Sequence, residues 1–484
     1  MKKSLIVLLS VLVVLIFSAT SFALHQVPDM YEYTPSILKS KAQVGISGQI
    51  RVRGRMSDNT TDFRDTKNGA TDDSFARYDQ RARLGISATV SPSSMGMIEL
   101  ESGNSDTVDS YTWADSAFGE GTQGLYGDQT ASNSKRGAMY IRQAYIAHQT
   151  KALGVLSGFK VGHMLMALGN GIFYDHTQFG DDAIILWIAP AEGMEVSLNT
   201  IKLAEGTSTI VSDDANAYIG TFSGAFGPAN ISADVTYVDD NSFATCGWTG
   251  DGLCDLQFWN IGARGDVNAG PAKIKADIEL QTGIMNKFKT NGDDMDIRAW
   301  AAMIGADIMA GPVTIGVEGG YGTGDDIDTE DKFEGFITSL SQGERYTYLY
   351  DQFTRSAAQG PSQSPTASST YAGGASNNDG ISNVTYIRVD ASAKPIPDLG
   401  LEAALIWLRA SQEVAKKNTT TGTTDDQDMG VELDGKIYYD LGPNLVYYIE
   451  AGYLWAGDFF RNVTLDNKDP DDPWSVRHGV LLTF

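Results

Sequence analysis

The chain has 484 residues, and its formal net charge at pH 7 is −25. A charge of this sign argues against nucleic acid as a partner, because surfaces that bind nucleic acid are basic. With 42% hydrophobic residues, the chain can bury a large apolar surface, either in two or three soluble domains or in one large all-β barrel.

The N-terminal residues 1–23 have the composition of a secretory signal peptide. Lys2 and Lys3 precede an apolar stretch at 5–17, and small residues flank Phe22 near the end. A basic region, an apolar region and a small-residue region in this order are typical of a cleaved export signal. A retained membrane helix is the alternative, although the apolar stretch is shorter than the ~20 residues that a spanning helix needs.

Residues 24–42 are predicted to form an N-terminal periplasmic segment, and residues 43–484 a single barrel. After the signal, no stretch approaches the length of a membrane helix. Strand-length segments instead alternate apolar and polar residues with period two, as the walls of membrane barrels do. The sequence therefore predicts an all-β, transmembrane antiparallel barrel in the outer membrane of a Gram-negative bacterium.

Alternation and turn signals define eighteen candidate strands. Their approximate centres are Ile50, Leu84, Ile98, Ala144, Val161, Leu186, Leu198, Ile219, Ala233, Ile261, Ile278, Trp300, Gly316, Ile387, Leu405, Leu433, Ile449 and Val480. Short turns join alternate pairs, and the other connections are long and polar. This asymmetry predicts short periplasmic turns and long extracellular loops.

Two of the predicted loops are unusually long, at about 104–137 and 323–382. Loops of this length are uncommon unless they are functional or disordered. One of them is predicted to fold into the lumen as a constriction. A surface loop is the alternative for the low-complexity tract at 356–380.

The two cysteines, Cys246 and Cys254, lie in one Gly-rich loop. In an oxidising compartment, a disulfide that closes this loop is the favoured interpretation. A metal pair is the alternative, but two thiols without a nearby His fall short of a ligand set.

Basic side chains are concentrated on one face of the first two strands and recur on the last. Because an Arg or Lys facing mid-bilayer lipid costs about 2–4 kcal/mol, the charged faces are predicted to line the lumen. The predicted pore-lining residues are Arg51, Arg53, Arg55, Arg77, Arg81, Arg83, Arg142, Lys273, Lys275, Glu432, Asp434, Glu450 and Arg477.

Two interpretations of the arginine-rich wall remain open. Guanidinium groups bind carboxylate and phosphate in a bidentate manner, so the wall could pass anions along a path. Alternatively, Glu432, Asp434 and Glu450 on nearby strands could partly neutralise the arginines and form an internal salt-bridge lattice that braces the barrel.

Candidate catalytic and metal-binding groups are sparse. The histidines show neither metalloprotease spacing nor a paired serine motif, and His176, near Asp175 and Asp181, is predicted to be a solvated loop histidine. The tripeptide at 169–171 lacks the lysine and helix of a phosphate loop. Without a Cys-x-x-Cys-His motif, covalent haem is not expected. The chain is predicted to hold no metal or cofactor and not to be an enzyme.

Aromatic residues near the predicted strand ends fit the interfacial girdles of a membrane barrel. Each of them could also be a core aromatic of a soluble sandwich, but the charged opposite faces favour the barrel. The candidates are Trp187, Tyr237, Trp407, Tyr453, Trp455 and Trp474.

Several motifs of the first third resemble those of bacterial outer-membrane porins, and most of all the alginate-export-type barrels. They are Gly48-Gln49-Ile50-Arg51-Val52-Arg53, Arg81-Ala82-Arg83-Leu84-Gly85, Tyr140-Ile141-Arg142-Gln143-Ala144-Tyr145, and Val161-Gly162-His163-Met164 leading to Leu168-Gly169-Asn170-Gly171. The resemblance implies a barrel of eighteen strands. Where that family usually carries Arg-Gln, this chain has His163-Met164.

The sequence thus predicts an outer-membrane channel for passive diffusion of small hydrophilic, preferentially anionic solutes. The alternatives are a barrel sheath around a partner, such as an electron-conduit cytochrome, or a polysaccharide export channel. The expected partners are outer-membrane lipids, the solutes and, through the strand ending at Phe484, the barrel-assembly machinery. A homo-oligomer is also compatible with the sequence.

Overall fold

The computed structural model describes residues 34–37, 42–60, 63, 74–103, 139–152, 154–177, 180–204, 214–241, 254–287, 294–326, 329, 331–338, 346–350, 381–413, 426–462 and 469–484. The predicted signal peptide, most of the 24–42 segment, Cys246 and the predicted loop at 104–137 lie outside these residues.

Nearly all regular structure in the described ranges is β-strand. The strands are β1 (Thr34–Ile37), β2 (Gln43–Asp58), β3 (Phe75–Ser91), β4 (Ser94–Gly103), β5 (Met139–Ala152), β6 (Val155–Met164), β7 (Asp181–Ala189), β8 (Met194–Ala204), β9 (Ala215–Phe226), β10 (Ala229–Asp240), β11 (Cys254–Ala269), β12 (Ala272–Lys287), β13 (Met295–Ala310), β14 (Val313–Gly322), β15 (Lys332–Phe333), β16 (Val384–Ile396), β17 (Leu399–Ala410), β18 (Asp428–Gly442), β19 (Leu445–Ala456) and β20 (Trp474–Thr483). A short 3-10 helix spans Asp458–Asn462. Within the described ranges, no helix has the length and hydropathy to cross a bilayer.

Eighteen strands, β2–β14 and β16–β20, form a closed antiparallel barrel. Each wall strand pairs with the next one along the chain, and β20 pairs back with β2. All eighteen predicted strand centres fall within these strands, so the predicted fold class and strand number are confirmed. The two-residue strand β15 lies outside this cycle and runs parallel to the extracellular end of β13.

The last residue of the chain closes the barrel against the first wall strand. Gly48 N–H donates to the Phe484 carbonyl at 2.7 Å, and Phe484 N–H donates to the Gly48 carbonyl at 2.9 Å. A Cβ at Gly48 would lie 2.3 Å from Cζ of Phe484, so glycine leaves the space that this ring occupies. β20 pairs with β2 only from residue 49 onward. β1 pairs with residues 43–46 on the same edge of β2 and so covers the part that has no partner in β20.

The wall strands separate an apolar outer face from a polar inner face. In β2, Ile46, Ile50 and Val52 are each at least 38% exposed, whereas Arg51 and Arg53 between them are buried. An apolar exterior around a charged interior is what lipid requires of a spanning barrel. The protein is therefore a barrel of the outer membrane of a Gram-negative bacterium.

Aromatic side chains occupy the outer face near the extracellular strand ends, where a bilayer has its interface. The exposed ones include Trp259, Trp300, Trp407, Tyr453 and Trp455. The prediction for Trp187 is wrong, because this side chain is only 9% exposed and alternates in phase with buried Ile185 on the inner face of β7.

Candidate functional site

Two parts of the chain fold from the extracellular rim into the lumen. The first inserted segment connects β6 to β7 and comprises residues 165–177 and 180. The second connects β14 to β16 and is described at 323–326, 329, 331–338 and 346–350. The second lies within the loop at 323–382 that the sequence named as a candidate constriction. The sequence did not predict the first inserted segment, because a connection of this length shows no sequence pattern that indicates insertion into the lumen.

The first inserted segment reaches across the lumen to β11 and β12. Its Phe173 ring packs edge-on against Phe258 of β11, with ring centroids 6.1 Å apart. Asn170 donates to the Asp277 carboxylate of β12 from its backbone N–H, at 3.2 Å, and from its side-chain amide, at 2.9 Å. The segment therefore crosses from β6 to β12 and divides the lumen.

A buried arginine supports the far end of this segment. Arg264 Nη1 lies 2.5 Å from the Asp234 carboxylate, and Arg264 Nε lies 3.3 Å from that of Asp277. Its Nη2 donates to Glu279. Gly169, with φ +56°, packs on this guanidinium so closely that a Cβ would lie 2.1 Å from Arg264 Cδ. Both the backbone conformation and the space therefore favour glycine at 169.

His176 of the same segment is buried, which corrects the prediction of a solvated loop histidine. Its Nδ1 lies 2.5 Å from Asp181 Oδ2, and Tyr174 donates its hydroxyl to the same oxygen. The rings of Tyr174 and His176 stack with centroids 4.4 Å apart. Burial follows from insertion into the lumen, which the local sequence does not reveal.

The second inserted segment enters beside β13 and is fixed to β12. Gln281 Nε2 donates to the Ile337 carbonyl at 2.6 Å, and the Ile337 N–H donates to Gln281 Oε1 at 2.8 Å. One side-chain amide thus satisfies both backbone groups of a residue in the lumen. Phe336 and Ile337 are buried there.

Residues 346–350, which we call the 346–350 segment, lie against the inner wall from β16 to β20. The Tyr346 ring stacks on Tyr386 of β16, with centroids 4.2 Å apart and planes 7° from parallel. The Tyr348 hydroxyl lies 3.1 Å from Ser475 Oγ of β20. The segment therefore adds a layer of chain to this side of the lumen.

Glu432 and Asp434 of β18 hold the backbone of this segment. Glu432 accepts hydrogen bonds from the N–H groups of Tyr348, at 2.9 Å, Leu349, at 2.5 Å, and Tyr350, at 3.0 Å. Asp434 accepts a further one from Tyr348 at 3.0 Å. The predicted role of Glu432 as a partner of the arginines is therefore replaced by a role in holding the inserted chain.

The predicted arginines near the seam, where β20 pairs with β2, lie on the inner face. Two of them contact the carboxylate of Asp79. Arg53 Nε lies 2.8 Å from Asp79 Oδ2, and Arg51 Nη2 lies 3.5 Å from Asp79 Oδ1. These contacts are those of a salt-bridge lattice. The seam arginines that are no more than 7% exposed are Arg51, Arg53, Arg55, Arg81 and Arg477.

The next strands continue this lattice. Arg142 Nη1 lies 2.9 Å from Glu99, and Arg83 Nε lies 2.5 Å from Glu101. Arg77 stands opposite Arg55 in the register of β2 and β3. At the seam itself, Arg477 Nε lies 2.6 Å from the Glu450 carboxylate.

A polar cavity of about 430 Å³ lies between the 346–350 segment and the wall from β12 to β19. Three cations in it each pair with a carboxylate, and Asp307 and Glu402 add further negative charge. The pairs are Lys275 with Glu318 at 2.5 Å, Arg388 with Asp390 at 2.9 Å, and Lys436 with Glu450 at 3.1 Å. Lys273 lies nearer the periplasmic rim, 3.7 Å from Asp266 and 47% exposed.

The inner wall is electrically asymmetric. A basic sector on β2, β3, β5 and β20 comprises Arg51, Arg53, Arg55, Arg81, Arg83, Arg142 and Arg477. An acidic sector on β10 to β18 comprises Asp234, Asp277, Glu279, Asp307, Glu318, Asp390, Glu402, Glu432 and Asp434. The acidic sector begins on β10, eight wall strands from β2, and ends on β18, two wall strands from β20. Its first part therefore lies across the lumen from the basic sector, and its last part lies beside it.

The predicted disulfide stays a prediction, since Cys254 begins β11 but Cys246 lies outside the described residues. In the part of the chain that the structure describes, no group of three or more His, Cys, Asp or Glu side chains is arranged to hold a metal ion.

The closed eighteen-stranded wall, its apolar exterior and its charged lumen define an outer-membrane β-barrel. Comparisons with protein-family models and with curated proteins give no match. Among solved structures, Pseudomonas aeruginosa OpdQ is similar at 13% identity and a TM-score of 0.48, over 91% of this chain and 98% of OpdQ. P. aeruginosa OpdK with vanillate is similar at 11% identity and a TM-score of 0.48, over 91% and 98%. The outer membrane channel DcaP of Acinetobacter baumannii is similar at 13% identity and a TM-score of 0.42, over 93% and 99%. Sequence identities this low do not indicate a substrate for this chain.

Proposed function

We propose that the chain forms an aqueous channel through which small hydrophilic solutes cross the outer membrane by passive diffusion. The observation that supports this most is the polar cavity between the 346–350 segment and the charged wall, because charged side chains on both sides keep such a space hydrated. The two inserted segments narrow the lumen, so the path admits small solutes and rejects large ones.

We also propose that the channel favours anionic solutes, on the strength of the basic sector. Guanidinium groups stay charged at all relevant pH values, and a low-dielectric wall extends their field into the lumen. The acidic sector acts in the opposite sense. The preference therefore depends on how close the solute path runs to the basic sector.

The inserted segments weigh against the other candidate functions. A sheath around a partner protein needs a lumen wide enough for that partner, but side chains such as Phe173 and Tyr346 already fill part of it. An extended polysaccharide, as in the alginate-export resemblance, also needs a continuous wide path. Both alternatives would require the segments to move.

The direct test is single-channel recording on the mature protein in planar bilayers, with the reversal potential measured across a KCl gradient. We expect open-channel conductance and a reversal potential of the sign that anion preference gives. No conductance in correctly folded protein would refute the channel proposal. Conductance with cation preference would refute the anion part alone.

A further inference from the structure

We propose that Glu432 sets the cross-section of the channel, because its carboxylate anchors the 346–350 segment against the inner wall. Loss of this carboxylate would release the segment and widen the path. The inference rests on the proposed channel function and names a selectivity-determining residue within it.

Three consecutive backbone N–H groups converge on the one carboxylate. The donors belong to Tyr348, Leu349 and Tyr350, at 2.9, 2.5 and 3.0 Å from the Glu432 oxygens. Successive N–H groups that point to one side form a concave anion site, and hydrogen bonds to a charged acceptor are stronger than neutral ones. Here the anion is a wall residue, so the site fastens the segment to β18.

The wall has a recess that fits the segment at this point. A Cβ at Gly452 of β19 would lie 2.7 Å from Cδ1 of Tyr348 and 3.0 Å from Cγ of Leu349. Glycine therefore lets both side chains approach the sheet. Glu432, on the neighbouring strand, holds the backbone at the depth that this recess allows.

Asp434 accepts one further hydrogen bond from the backbone of the segment, at Tyr348 N–H. Other contacts involve the tyrosine side chains of the segment or its first residue. Tyr346 stacks on Tyr386, and its carbonyl accepts a hydrogen bond from Arg388 at 2.9 Å. The Tyr348 hydroxyl meets Ser475 of β20. These contacts keep the segment near the wall, whereas Glu432 fixes the backbone between them.

The anchored segment separates the two charged sectors. The guanidinium carbon of Arg477 lies 4.7 Å from the centroid of the Tyr348 ring, so this ring covers a member of the basic sector. Tyr346, Thr347 and Tyr348 of the segment also line the polar cavity. Displacement of Tyr348 would join the cavity to the basic wall, which enlarges the aqueous path and brings it closer to arginine.

The test compares Glu432→Gln and Glu432→Ala with Glu402→Gln in full-length protein. Glu402 lies on the adjacent strand β17 and lines the polar cavity, so its replacement also removes one carboxylate from the inner wall but leaves the contacts of the 346–350 segment with Glu432 in place. We expect both Glu432 variants to raise single-channel conductance and to admit larger sugars in liposome-swelling assays, Ala more than Gln. We expect Glu402→Gln to shift ion selectivity without changing the size limit.

A second measurement remains informative when the conductance results are weak. In a background with Cys246→Ser and Cys254→Ser, Thr347→Cys reports access to the segment, because Thr347 is only 3% exposed. A water-soluble thiol reagent should label it several-fold faster when Glu432→Ala is also present. Heat-modifiable gel mobility verifies that each variant is a folded barrel.

The outcomes separate this inference from the channel proposal. Wild-type protein that does not conduct refutes the channel, and the labelling rates still test the anchor. Wild-type protein that conducts, with Glu432 variants that match Glu402→Gln in size limit and labelling rate, overturns the role of Glu432.

Discussion

Arg53 and Asp79 form an ion pair across β2 and β3 that is almost closed to water, with Nε 2.8 Å from Oδ2 and side-chain exposures of 1% and 0%. The two residues stand directly opposite each other in the strand register. Arg51 lies 3.5 Å from the same carboxylate. One carboxylate thus compensates two guanidinium groups at the start of the barrel.

Replacement of this carboxylate should destabilise the barrel strongly. Asp79→Asn removes a counter-charge that two buried guanidinium groups share, and we expect a loss of about 3–5 kcal/mol in unfolding free energy. Urea titration of the protein in lipid vesicles, followed by tryptophan fluorescence, measures it. The matched control is Asp182→Asn, because Asp182 is 73% exposed and contacts only one histidine in the described structure, at 2.9 Å. Its expected change is within about 0.5 kcal/mol, and equal losses for both variants would contradict this account.

A side chain at Gly169 should dislodge the first inserted segment. Gly169→Ala meets Arg264 and also requires alanine at φ +56°. Gly227→Ala requires a similar φ of +62° but meets nothing within 4 Å. Both variants bear the left-handed backbone cost of about 1–2 kcal/mol, so only the first should expose Phe173 to chymotrypsin in the folded barrel. Protection of Phe173 in Gly169→Ala would show that the segment does not depend on this packing.

Charge reversal in the cavity should change ion selectivity. Glu402→Lys places a cation where a lumen carboxylate was, so the reversal potential in a KCl gradient should shift towards anions. The shift should shrink in concentrated salt, since the screening length falls from about 10 Å at 0.1 M to about 3 Å at 1 M. Glu192→Lys, in an exposed periplasmic turn, is the control for net charge. An equal shift in both would mean that selectivity does not arise in the cavity.

A charged substitution on the outer face should destabilise the barrel more at the middle of the bilayer than near its interface. Ile304 and Ile308 lie on the same face of β13, at 63% and 49% exposure, and Ile308 is closer to the periplasmic turn. Ile304→Lys should lower the unfolding free energy by about 2–4 kcal/mol and Ile308→Lys by about 0–1 kcal/mol. Vesicle-based unfolding titrations measure both. The reverse order would place the bilayer differently along this strand.

The wall strands could be predicted from sequence because the pattern that a membrane barrel requires is present within each strand. Lipid on one side and water on the other impose a period of two on every strand, so Ile50 and Val52 identify their own face without knowledge of any partner. The same logic places Arg51 and Arg53 inside. Alternation does not show whether an inward charge contacts water or another side chain, so a salt-bridge lattice remained one of two interpretations. The carboxylates proposed for it were Glu432, Asp434 and Glu450, and the pairing with Asp79 was not predicted.

The lumen contents could not be predicted, because they depend on contacts between residues distant in sequence. Glu432 reads as one more inward carboxylate, and only the return of Leu349 to β18 shows its role. From sequence, His176 is predicted to be a solvated loop residue. Its burial follows only from the insertion of the surrounding segment into the barrel. Trp187 shows that the position of a residue in the alternating pattern decides which face it occupies, whatever its residue type. Its position in β7 places it on the inner face.

The hydrogen bonds between Gly48 and Phe484 make the barrel a ring that its final residue completes. The edge of β2 that receives β20 consequently has no wall-strand partner until the end of the chain has arrived. Contacts of such sequence separation make folding slow, and an unpaired edge in the meantime invites association with other chains. A chain that lacks its last strand would therefore present two open edges to the membrane, those of β2 and β19.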